Sequence, residues 1–147
     1  MLKKTLLVIL VVGIGIQFVP VPTNQNDEVL KTDFFQHIEA PINIQTMVES
    51  SCYDCHSNNT NYPWYGRVRP FVWFLQKHIR EGKDDLNFST FQEYSGRMQR
   101  EKIRSVISQL RDGKMPLEEY LWMHSEAKLS LAETARLIDF FENLNTQ

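Results

Sequence analysis

Residues 52–56 read Cys-Tyr-Asp-Cys-His and contain the only two cysteines of the chain. Two thiols held two residues apart, with a histidine directly behind the second, form the attachment pattern of haem c. The sulfurs add to two vinyl groups of the ring and the adjacent imidazole becomes the proximal iron ligand. Two intervening residues let both sulfurs reach neighbouring pyrroles while the histidine is carried under the metal. Two Cys and four His scattered at random over 147 residues would produce this order roughly once in a few thousand chains. The rival chemistries lack their other parts. A zinc site needs two further ligands, yet His37, His56, His78 and His124 contain no H-x3-5-H pair and there is no second Cys pair. A thioredoxin-like dithiol belongs in a βαβ context that the flanking sequence lacks, and a disulfide across two residues closes too small a loop to stabilise much.

Downstream, SNNTNYPWYG (57–66) is dense in turn formers and predicts a loop. Pro70 suits the first turn of a helix, which is expected to end before Gly82. Ser89 can cap a short helix near residues 91–94. Met98, Ile103, Val106, Ile107 and Leu110 keep the 3.6-residue period, and Gly113 is placed as a C-cap. Ser130 and Glu133 stand in the S-x-x-E relation of a capping box and predict a final helix over 131–144. Upstream, 29–38 and 42–48 are short apolar-periodic stretches split by Pro41, the second running straight into Cys52. No strand pattern and no internal repeat appear, so the fold class is all-α.

A sixth iron ligand is sought among Met and His. Met115 lies 59 residues beyond His56 in the turn-like run Asp-Gly-Lys-Met-Pro, placed like the axial Met of small cytochromes c. A thioether there favours Fe(II) and raises the reduction potential; a Met filling a core gap is the competing role. His124, after LEEYLWM, is the strongest alternative. His78 and Met98 sit within predicted helices, Met123 beside His124, and His37 comes early. The aromatic residues Tyr62, Trp64, Tyr65, Phe71, Trp73 and Phe74 follow the motif closely. Of these, Trp64 and Tyr65 are candidates for the haem edge. Arg67 and Arg69 are candidates for propionate neutralisation.

Residues 6–19, LLVILVVGIGIQFV, form an apolar run without charge, preceded by Lys3 and Lys4. Residues 1–21 therefore read as a signal-anchor or signal peptide, with the positive flank holding the N-terminus in the cytoplasm. No small-x-small site follows the run, which favours retention over cleavage. PVPTNQND (20–27) suits a tether, so 22–28 is expected to be a linker and 29–147 the functional domain. That domain would lie in the periplasm as part of a single-pass inner-membrane protein. Beyond Pro20 the chain has 14 basic against 18 acidic side chains. With neither a basic stripe nor a basic pI, nucleic-acid binding is excluded.

CYDCHSNNTNYPWYGRVRP (52–70), KHIREGKDDLNFSTF (77–91) and KMPLEEYLWMHSEAKLS (114–130) together resemble the haem-binding domain family, single-haem cytochrome c-like proteins typical of Bacteroidetes. The resemblance covers about 29–144 and extends to a short membrane helix ending in IQF. It implies a cytochrome c-like helical fold preceded by one N-terminal membrane helix, one covalent haem c on Cys52 and Cys55, and His56 as proximal ligand. It names no substrate. The function expected is one-electron transfer to redox partner proteins. A haem-based redox or gas sensor is the alternative, and a peroxidase-type catalyst is the least supported, since no distal His and Arg pair is evident.

Overall fold

The computed structural model describes residues 1–26 and 28–145; Asp27 in the expected linker and the last two residues of the expected domain lie outside the described residues. In chain order the α-helices are α1 (Leu2–Gly15), α2 (Ile42–Val48), α3 (Asp54–His56), α4 (Phe71–Asp85), α5 (Gly96–Arg111), α6 (Glu118–Leu121) and α7 (Leu131–Asn145). Short 3-10 turns lie between several of them. The only β pairing among the described residues is an isolated bridge, Gln25 to Asn59, so the all-α reading holds.

The local signals that placed the later helices act as expected. Ser130 and Glu133 form the reciprocal capping box: the Ser130 backbone N–H donates to Glu133 Oε2 at 2.8 Å and the Glu133 N–H donates to Ser130 Oγ at 3.3 Å. The hydrogen bonds hold the Glu133 carboxyl below its usual range, the Ser130 hydroxyl contributing most. Ser95 caps α5 by accepting from the Met98 N–H. At its other end Gly113 adopts φ +63, and Lys114 N–H donates to Gln109 O while Gly113 N–H donates to Leu110 O. That is a Schellman closure, which needs a left-handed residue and turns the chain sharply back. It aims the Met115 segment at the body of the domain.

Three expectations shift. Residues 29–38 yield only a 3-10 turn, Phe34–Gln36, because Asp33 caps too short an apolar stretch to propagate a helix. The short helix expected after Ser89 is a 3-10 segment, Phe88–Glu93, and its cap is Asn87, which accepts from the Ser89 N–H. And α4 runs through Gly82 to Asp85; Gly82 serves packing rather than termination, as the site makes plain.

The core joins α2, α5 and α7 around Phe34, with Val48, Leu137 and Phe141 fully buried and Ile103, Ile107 and Leu110 contributed by α5. Phe34 meets Phe88 and Phe91 edge-on at 5.3 and 5.0 Å. Fully burying such side chains stabilises by about 1.5–3 kcal/mol each, so this cluster fixes the frame on which the cysteine motif sits.

Among the described residues no helix is long and apolar enough to cross a membrane, so the expected N-terminal membrane helix is not supported by the helix lengths. The 14 residues of α1 rise about 21 Å at about 1.5 Å each, short of a roughly 30 Å hydrocarbon core. A 3-10 turn, Ile16–Phe18, continues the segment. Nor is the described part of the expected linker a free tether. Asn24 donates to Ser57 O and to Thr60 Oγ1 and accepts from Lys83 Nζ, while its N–H donates to Tyr62 Oη. Polar linker composition here supplies hydrogen bonds to the motif loop.

Candidate functional site

Residues 42–56 form one helical run in which α2 passes through a π-helical turn, Glu49–Tyr53, into α3. The wider turn presents Cys52 and Cys55 from the end of the run, and such π turns commonly mark functional positions. Every residue between the thiols is pinned. Tyr53 stacks on Phe88 at 5.3 Å and on Phe35 at 6.0 Å, and its hydroxyl donates to Asp33 Oδ1. Asp54 accepts from the Asn61 N–H and from Tyr120 Oη at 2.7 Å, tying the motif to the following loop and to α6. Ser51 Oγ donates to Ala127 O.

On the remaining side α4 crosses the motif at Gly82. A Cβ at that position would stand 2.8 Å from Cys55 O and 3.3 Å from Cys55 Cβ, so only glycine admits this approach. The crossing brings α4 close enough for its C-terminal end to hold His56. The imidazole Nδ1 lies 3.1 Å from Leu86 O, and a proton on Nδ1 donated to that carbonyl leaves Nε2 with its lone pair. Burial lowers the His56 pKa, which keeps the ring in the neutral form a metal requires. No disulfide joins Cys52 and Cys55. Burial pushes Cys52 up to about 12 and Cys55 up to about 11.

Two adjoining cavities of about 270 and 280 Å³ open over the motif. Cys52, His56, Asp85 and Met115 line both of them. Met115, which the Schellman turn sends back into the domain, thus shares its cleft with His56. His78 lines the first cavity with Cys55. His124 does not enter either: it is buried and stacked on Tyr120 at 4.1 Å, its Nδ1 3.1 Å from Tyr120 O, in a separate hollow beside Glu49 and Asp54. Met98 is exposed on α5, and Met123 lines a third, apolar groove of about 460 Å³ with Trp64, Tyr65 and Phe74. That groove also reaches Cys55 and His78, so Trp64 and Tyr65 line a groove that meets the cleft at Cys55 without lining the cleft itself. His37 is elsewhere, with Nε2 2.7 Å from Lys31 O.

Arg67 and Arg69 line neither cavity of the cleft. Arg69 instead donates from its guanidinium to Val19 O and Arg67 O. The cation that does reach the cleft is Lys102 on α5, together with Ser105 and Gln109. Their spacing puts them on one stripe of that helix beside Val106, and this stripe was the signal available in the sequence. Tyr120 and Leu117 of the α6 region were also missed as wall residues, since no periodicity marks so short a helix.

The donors fit a haem. An imidazole whose Nδ1 faces Leu86 O and a thioether on the same cleft are donors that haem iron accepts, and the two thiols lie on the wall beside them. Among the described residues no group of three or more His, Cys, Asp or Glu side chains is placed to hold a metal ion.

Helical scaffold, paired thiols and buried imidazole together define a haem-binding helical domain. The chain belongs to the Haem-binding domain family, which it matches over residues 11–143. No curated protein and no solved structure gave a significant match.

Proposed function

We propose that this protein is a single-haem c-type cytochrome, attached to the inner membrane by its apolar N-terminal segment, with its domain in the periplasm and electron transfer to redox partner proteins as its task. The observation that carries this reading is the placing of Cys52, His56 and Met115 on the wall of one cleft, with Cys55 beside them and His56 Nδ1 engaged by Leu86 O. Cys52 and Cys55 would hold the ring covalently, and His56 and Met115 would ligate its iron. Haem supplies a one-electron couple. The chain's own residues orient it: Leu86 O engages the imidazole Nδ1 and Gly82 permits the close crossing. Attachment to a membrane is supported by α1, whose Leu, Ile and Val side chains are exposed on all faces, an arrangement that calls for an apolar surrounding. The positive charges of Lys3 and Lys4 ahead of it support a start on the cytoplasmic side.

The test is extraction with acidified acetone. Haem should stay on the polypeptide in the wild type and leave it in the Cys52→Ala, Cys55→Ala double variant. Haem extracted from the wild type, or two titratable thiols in the haem-loaded protein, would refute covalent attachment.

A further inference from the structure

The apolar segment does not hang loosely from the domain. The Gln17 side chain donates to Arg69 O at 3.1 Å and accepts from the Arg69 N–H at 3.0 Å, while the Arg69 guanidinium donates to Val19 O at 2.6 Å. These three bonds clamp the end of the apolar run to the segment joining the 3-10 turn Trp64–Arg67 to α4. On either side of the clamp the large apolar side chains face solvent: Trp64 is 78% exposed, Phe71 59% and Phe74 57%, with Trp122 at 76% across the groove. Phe18, at the end of the run itself, is 82% exposed.

We infer that this aromatic rim is a membrane-docking surface, seated by the Gln17–Arg69 clamp in the headgroup region of the bilayer that holds α1. The inference rests on the anchoring reading above. Its occupant is lipid for three reasons. The clamp puts the rim at the mouth of the apolar segment, where a chain leaving a membrane meets the headgroups. Trp and Phe interleaved with Arg67 and Arg69 match the composition of that region, where aromatic rings sit at the interface and guanidinium meets phosphate. And the rim is continuous with α1, whose own apolar side chains are uncovered. The domain is thereby held in one orientation, with the groove that runs in to Cys55 opening toward the membrane surface.

The experiment places the haem-loaded full chain in phosphatidylethanolamine/phosphatidylglycerol vesicles carrying a lipid with a photoactivatable diazirine, and maps cross-linked peptides by mass spectrometry. Labels are expected in α1 and in peptides covering 64–74 and 117–123, but not in α5. In Gln17→Ala the rim labels should be lost while those in α1 persist. Labels confined to α1 would overturn the docking surface and leave the anchor standing. Absence of label from α1 would remove the anchor and the docking together. Rim labels unchanged in Gln17→Ala would overturn the role of the clamp.

Discussion

Gly82 and Cys55 meet backbone to backbone: a Cβ at Gly82 would stand 2.8 Å from the carbonyl oxygen of Cys55. Alanine in mid-helix normally gains up to about 1 kcal/mol over glycine, but forcing an atom against an immovable carbonyl costs about 1–3 kcal/mol. The clash should win. Gly82→Ala is expected to lower stability by about 1–2 kcal/mol in denaturant unfolding and to reduce haem incorporation. Gly96→Ala is the control, since there only the flexible end of Arg100 lies near, at 3.6 Å. It should be neutral or stabilising, and equal loss in both variants would remove the special role of Gly82.

Met115→Ala should abolish the weak near-infrared band of ferric thioether-ligated haem. It should also lower the reduction potential by on the order of 0.1 V, a part of the ~0.8 V over which axial ligands act. The wild-type ferrous protein should bind carbon monoxide poorly and the variant well. Met98→Ala and Met123→Ala should keep the band, and His124→Ala should too, because His124 lies outside the cleft. A wild-type spectrum lacking the band moves the assignment to His78, which does line the cleft, or to an open position, the sensor alternative; a band that survives Met115→Ala assigns another methionine.

The capping box at the start of α7 predicts a pH effect. Glu133 in the folded chain titrates below its ordinary value, so its contribution is present above the unfolded pKa and is lost as pH falls through the folded one. Ser130→Ala should raise the Glu133 pKa, followed by carboxyl NMR, toward the ordinary range, the backbone N–H at 130 still donating to the carboxylate. Loss of the Ser130 cap should itself cost about 1 kcal/mol. An unmoved Glu133 titration would show that the box does not persist in solution.

The proposed topology, with Lys3 and Lys4 on the cytoplasmic side, predicts that protease added to intact spheroplasts digests the domain. Replacing both by Glu should reduce the exported fraction. Protection of the wild-type domain until lysis would contradict a periplasmic location.

What the chain determined by itself was whatever depends on neighbours within a few residues. The Cys-x-x-Cys-His spacing, the capping box of Ser130 and Glu133, the 3.6-residue stripe of α5 and the Gly113 stop are local, because helix hydrogen bonds, caps and αL turns are satisfied within a turn or two. The same locality explains the failures. Gly82 reads as a helix stop until α3 is seen lying across it. Asn24 and Gln17 look like tether and membrane residues, and Arg69 like a propionate partner, yet their partners lie 33–52 residues away in sequence, Ser57 for Asn24 and Arg69 for Gln17. Met115 and His124 are only nine positions apart, and no periodicity could say which one shares a cleft with His56. Tertiary packing decided it: the Schellman turn after α5 sends Met115 into the cleft, whereas stacking on Tyr120 draws His124 into a different hollow. Side chains that meet across the fold are chosen by the burial of the whole core, and that information is not carried by any single stretch of sequence.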